Sequence, residues 1–163
     1  MKTKISKKPK FSITHKDKEM LKLIEKTDHK TLARWAIDCV EGVMHYFEEP
    51  YPQDPRPGRA LETLRAWINT GVFKMADIRK ASLDAHAAAR DVGQDSSARS
   101  VARAAGQAVA TAHVPRHAYG AAIYTQQAIY RAAKPARADT LAAKERNWQY
   151  RHLLKLNKNA HHQ

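Results

Sequence analysis

Apolar residues return at three- and four-residue steps along most of this chain. Leu32, Trp35, Cys39, Val43 and Phe47 form one such series, which predicts a helical stripe over five turns. Asp28 stands just before it, where a carboxylate can accept from the free amides of a first turn. Upstream, Met20, Leu21, Leu23 and Ile24 predict a short helix within 16–26. Downstream, Ala60, Leu61, Leu64, Trp67 and Ile68 fall on one side of a helix over 59–70, with Gly71 placed as a left-handed C-cap. A further helix over 75–92 stops near Gly93. Ser96 or Ser97 caps the next, which runs to about residue 113. Pro115 suits the first helical position of a helix over 117–133, and Pro135 ends it. Asp139 is placed to cap a last helix through Trp148 and Leu153. Between Glu48 and Gly58 the chain reads EEPYPQDPRPG, a rigid connector that four prolines keep out of any helix interior.

No segment alternates with period two over the length of a strand, and the loops are short, so successive helices should pack antiparallel. The fold class is all-α: a single-domain bundle of about six to seven antiparallel helices over 16–157, with a disordered basic arm at 1–15 and a disordered tail at 158–163. The 163 residues suffice for one core. Of the 28 alanines, 24 follow residue 75. The second half is therefore built from strong helix formers with small side chains, and the larger Trp35, Phe47, Trp67 and Phe73 lie in the first. Ala104, Ala108 and Ala112, like Ala102 and Gly106, sit four apart. Gly120 and Tyr124 repeat the step, and the reading is close helix packing.

Charge sharpens this picture mainly at the ends. The net charge is +13. Residues 1–26 hold nine Lys against three acids (+6), residues 144–163 five bases against one acid (+4), and the 117 residues between them fifteen against twelve (+3). Lys2, Lys4, Lys7, Lys8 and Lys10 form a solvated arm that can touch nucleic acid weakly and non-specifically through phosphates. Cys39 is the single cysteine, so no intrachain disulfide can form, which suits a reducing, cytoplasmic setting. The N-terminus lacks an apolar segment after its lysines, so no secretory signal is expected. The longest uncharged stretches, 104–115 and 117–130, fall short of the ~20 residues that span a bilayer.

Candidate chemistry is sparse. Arg79, Leu83, His86 and Arg90 share one helix face. That face either meets water, joins a buried network with Asp54 or Glu62, or binds a ligand or partner. His113 and His117 are four apart, a spacing that can ligate one metal on a regular helix, but Pro115 lies between them and no HExxH glutamate follows. Asp38, Glu41 and His45 resemble half of a bundle carboxylate site, yet the pattern does not recur. There is no Gly-rich phosphate loop and no nucleophile elbow. No catalytic residue, metal or cofactor is assigned, and the chain reads as a binding protein rather than an enzyme.

Three stretches carry a resemblance. They read WAIDCVEGVMHYFEEPYPQDPRPGRALETLRAW from Trp35, IRKASLDAHAAARD from Ile78 and AAGQAVATAHVPRHAYGAAIYTQQA from Ala104. With Trp35, Ala36 and Cys39, Asp54, Arg56 and Pro57, His86 and Arg90, and Thr111, His113 and His117 as its specific positions, the chain resembles a family of small helical bacterial proteins described as immunity proteins of polymorphic toxin systems. Gln107 departs from the pattern, where a histidine is expected after A-A-G. The resemblance implies a protein that binds and neutralises a toxin domain, and it assigns no binding residue.

The candidate binding residues are therefore Asp54, Arg56, Arg59, His86, Arg90, His113 and His117. In an immunity protein, the connector at 48–58 and Arg59 would meet the toxin. In the alternative reading, a helical protein that binds a small molecule or a metal, the Asp, Arg and His side chains would converge in one cleft. A homodimer would help cover the Trp and Tyr side chains.

Overall fold

The helices begin where side chains or prolines relieve the free amides of a first turn. A computed structural model describes residues 11–13 and 16–161; Lys2, Lys4, Lys7, Lys8 and Lys10 of the basic arm lie outside the described residues. Among the described residues there are eight helices and no strand: α1 (Lys18–Glu25), α2 (His29–Glu41), α3 (His45–Glu48), α4 (Arg56–Thr70), α5 (Met75–Val92), α6 (Ser97–Ala110), α7 (His117–Ala132) and α8 (Pro135–Ala160). Asp17 caps α1 by accepting from the Met20 amide at 3.1 Å, and Asp28 caps α2 through the Thr31 amide at 3.1 Å. Ser96, of the two serines considered, caps α6 by accepting from the Arg99 amide at 3.3 Å. Gly71 and Gly93 close α4 and α5 with φ of 69° and 75°, a left-handed turn that a Cβ would strain.

The eighth helix comes from the long stripe. Leu32 to Phe47 do face one core, but the α-helix stops at Glu41 and resumes as the single turn of α3. Between them the Val43 amide donates to the Val40 carbonyl, a three-residue step that tightens the chain around Gly42. Four further expectations need correction. The connector does not run to Gly58, because Pro57 and Gly58 lie in the first turn of α4, where a missing amide costs nothing. Pro135 opens α8 for the same reason, and Asp139 sits a turn inside that helix, so it is not the cap. Pro115 stands in the turn before α7, and α6 ends at Ala110. α8 runs on to Ala160, beyond the expected end of the domain at 157.

The core is arranged around α6, which packs against α2, α3, α4, α5 and α7. A helix in that position keeps only a narrow partly open stripe, through Arg99, Arg103 and Gln107, and between Ala98 and Val109 the rest of it is buried. Ala98, Val101, Ala102, Ala104, Ala105, Ala108 and Val109 are all buried, so small side chains surround its axis. Larger residues on the outer helices, Trp35, Phe47 and Leu64, fill the remaining space. The polar groups carried inward are paired. Trp35 Nε1 donates to the Gln149 carbonyl at 2.9 Å, and the buried Gln149 side chain donates to the Ala122 carbonyl at 3.1 Å while accepting from Gln126 at 2.8 Å. Among the described residues no buried side-chain polar atom is without a partner. Cys39 is wholly buried; burial, then the Glu145 and Asp38 charges, push its thiol well above its ordinary value, which leaves it an inert packing residue.

Candidate functional site

Helices α5, α6 and α7 lie side by side, and their small residues admit polar side chains between them. On α5, Ser82 and His86 are one turn apart and both turn toward α6. The Ser82 hydroxyl donates to the Gly106 carbonyl at 3.0 Å. The His86 imidazole lies against Gly106 itself: a Cβ there would stand 2.7 Å from Nε2 and 2.9 Å from Cδ2 and Cε1. Arg103, three residues before Gly106 and so on the same face, reaches His86 Nδ1 at 2.9 Å. A guanidinium can only donate, so Nδ1 is the acceptor and the imidazole is neutral with its proton on Nε2. Burial first, then the charges of Arg103, Arg90 and His117, hold its protonation below the ordinary histidine range.

The same device recurs one helix further on. Gln107 lies over Gly120, whose Cβ would stand 2.7 Å from Oε1, and that oxygen is 2.8 Å from His117 Nδ1. His117 is likewise held neutral by burial, with the neighbouring His113 adding to the effect. His113 is exposed and stacks on Phe73 of the α4–α5 loop, with ring centroids 6.1 Å apart and planes at 21°. The structure thus brings together three of the expected residues, His86, His113 and His117, with Arg90 beside His86.

The other expected residues form a separate group. Arg56 donates to Asp54 Oδ1 through Nε at 2.9 Å and to Oδ2 through NH2 at 2.7 Å, and the same NH2 reaches Asp91 at the end of α5 at 2.8 Å. The Arg56 hydrogen bonds hold the Asp54 carboxyl below its usual range. This staple fixes the connector to α5, while Arg59 stays exposed on the wall of an open groove with Pro50, Tyr51 and Pro52. Among the described residues no hydrogen bond or ion pair joins the staple to the histidines. Of the three readings of the α5 face, the buried network with Asp54 or Glu62 is absent among the described residues, because Asp54 is taken by Arg56 and Glu62 is exposed. Arg79 and Leu83 also face water, so the α5 stripe turns inward only at His86.

Asp38, Glu41 and His45 do not converge either. Asp38 pairs with His152 of α8 at 2.7 Å, Glu41 with Arg65 of α4, and His45 stacks on Tyr46. Among the described residues no group of three His, Cys, Asp or Glu side chains could hold a metal ion, and no helix is long and apolar enough to cross a membrane.

Sequence reasoning missed Arg103, Gln107 and Phe73 as site residues. A signal existed for the first two, since Arg103, Gly106 and Gln107 stand at i, i+3 and i+4 and must share one face of α6. Phe73 carried no such signal, because its place beside His113 depends on how two loops meet.

The residues of this face and of the connector fall within a longer similarity. Residues 22–156 match the sequence profile of the family described as Imm-5 like putative immunity protein. The chain belongs to that family. The match extends from α1 into α8, so it takes in the connector staple, both glycine notches and the three histidines of this Imm-5 like protein. No curated protein and no solved structure matches the chain.

Proposed function

We propose that this Imm-5 like protein binds a cognate bacterial toxin in the cytoplasm and neutralises it by occlusion, acting as a binding protein rather than an enzyme. Membership of an immunity-protein family over residues 22–156 carries the reading. The architecture supports it. Occlusion needs a face that is already rigid before the partner arrives, since ordering side chains and loops on binding lowers affinity. Here the connector is held by the Arg56 pairs and the α5–α7 face by interlocked side chains. The positive charge of the chain suits an acidic partner and speeds encounter with it.

The test is co-expression of this chain with each toxin domain encoded beside its gene. Growth should be restored against one toxin and not against unrelated ones, with a one-to-one complex recovered from the rescued cells. Growth arrest that persists with every neighbouring toxin, despite soluble immunity protein, would reject the proposal.

A further inference from the structure

Among the described residues, four arginines around the α5–α7 histidines have no carboxylate partner. Five other arginines are tied down: Arg56 to Asp54 and Asp91, Arg65 to Glu41, Arg99 and Arg131 to Asp95, Arg146 to Asp17 and Glu19. Arg34, Arg59, Arg137 and Arg151 make no ion pair among the described residues either, but lie on α2, α4 and α8, apart from those histidines. On the α5–α7 face, Arg79, Arg90, Arg103 and Arg116 make no ion pair among the described residues, and Arg103 bonds the neutral His86. The nearby α5 carboxylate Asp84 is taken by Lys80 at 2.6 Å, and Asp91 by Arg56. The groups that act on His86 are all cationic or basic: Arg103 from α6, Arg90 from its own helix and His117 from α7.

The face has an apolar end as well. Phe73 is 44% exposed and Val114 39%, on the two loops that His113 links by stacking on Phe73. Phe73 stacks on His113, the charge of His113 acts on His117 and that of His117 on His86, which Arg103 bonds, so these groups lie along one surface. An exposed aromatic and aliphatic patch beside arginines is the composition of a protein interface core. A phosphate backbone would use the arginines but leave the Phe73–Val114 end without a role.

We infer that the α5–α7 face is the toxin-docking surface: an acidic patch of the partner protein places carboxylates against Arg90 and Arg103, and an apolar side chain against Phe73 and Val114. This rests on the immunity reading and names the part of the molecule that performs it. It also moves the expected contact away from the connector, whose Asp54 and Arg56 are consumed by internal pairing.

Titration calorimetry of the rescued toxin domain against an Arg90→Ala/Arg103→Ala variant tests the inference. Loss of a desolvated charge contact should weaken binding by about 30-fold or more, and Phe73→Ser should weaken it by about tenfold or more, as expected for an aromatic anchor. A charge-matched control, Arg137→Ala/Arg151→Ala, should stay within about threefold, as expected for rim charges, with all variants checked for unchanged thermal unfolding. Equal losses in control and test variants, or no loss in either test variant, overturn the docking surface while leaving immunity intact. If no toxin binds the wild-type chain, the immunity reading fails and an octaglutamate peptide decides the surface alone. Shifts of the His86, His113 and His117 ring resonances on adding that peptide support an acidic-protein site. Unmoved rings, or rings that respond at lower concentration to a single-stranded RNA of equal charge, overturn it.

Discussion

The imidazole of His86 occupies the space that a Cβ of residue 106 would fill. Gly106 is thus a steric requirement of a neighbouring side chain, since its own helix would be more stable with alanine by about 1 kcal/mol. The two positions should be coupled. In the wild-type background, Gly106→Ala forces the ring off its seat and away from Arg103, with a packing penalty of about 1–3 kcal/mol set against the helix gain. In a His86→Ala background the ring is gone, and the same substitution should stabilise by about 1 kcal/mol. Urea unfolding of the four proteins measures the coupling, and additivity within about 0.5 kcal/mol would show that the ring is not seated there.

Acid should weaken the fold through the same face. His86 and His117 both protonate less readily when folded than the ordinary histidine value of about 6.5, because of burial and the surrounding positive groups. As pH falls, the unfolded chain takes up these protons first, so it binds more protons than the native state. Stability is therefore full above about pH 6.5 and declines as pH drops toward the lowered native values. Unfolding midpoints at pH 8, 7, 6 and 5 should fall for the wild type. They should fall less steeply for a His86→Gln/His117→Gln variant, and matching slopes would contradict the assignment.

Much of this architecture is legible in the chain, and the parts that are not share a cause. Asp28, Gly71 and Gly93 are read correctly, and Ser96 as one of two neighbouring serines, because these caps depend on residues within a few positions of one another. The break after Glu41 is hidden because Leu32–Phe47 keeps its apolar spacing through the turn, and periodicity is blind to a single tightened step. Prolines are ambiguous for a related reason. Pro57 and Pro135 forbid a preceding helix but equally suit the start of a following one, and only tertiary packing decides. The site divides in the same way. His86 and Arg90 are placed on a common face by spacing alone. That Arg56 closes on Asp91, 35 residues away, or that Gln107 fills the notch at Gly120, depends on interhelical registers that no local pattern records.

Glu145 supplies a charge that the fold tolerates poorly. It lies in the α8 face beside Tyr46 and Trp148, and burial raises its carboxyl above the ordinary value, an effect that the Gln149 amide donated to Oε1 at 3.3 Å only partly offsets. A group raised in this way contributes stability when protonated and loses it as pH rises through the native value. Glu145→Gln keeps an oxygen for Gln149 and removes the charge. The variant should melt higher than the wild type at pH 7, and the advantage should vanish near pH 4, where the wild-type carboxyl is protonated in both states. A lower melting temperature at pH 7 would mean that the carboxylate has a cationic partner in solution.

The Arg56 staple makes a prediction about local rather than global stability. Its pairs are partly open to water, with side-chain exposures of 29% for Arg56, 21% for Asp54 and 68% for Asp91. Ion pairs in such settings contribute about 0–1 kcal/mol, so Arg56→Ala should lower the unfolding free energy by no more than about that amount. The connector is different, because three of its residues, Pro50, Pro52 and Pro55, are prolines and it forms no helix of its own. What fixes it is the bridge from Asp54 through Arg56 to the end of α5, together with Tyr51 against Phe47, ring centroids 5.3 Å apart. Without the guanidinium, amides at 49–56 should exchange with deuterium several times faster while α5 and α6 keep their protection, as expected for an opening confined to one segment. Arg56→Lys should recover only part of the protection, because an ammonium cannot hold both oxygens of Asp54 and reach Asp91 at once. Uniformly faster exchange across the helices would instead place Arg56 among the residues on which the whole bundle depends.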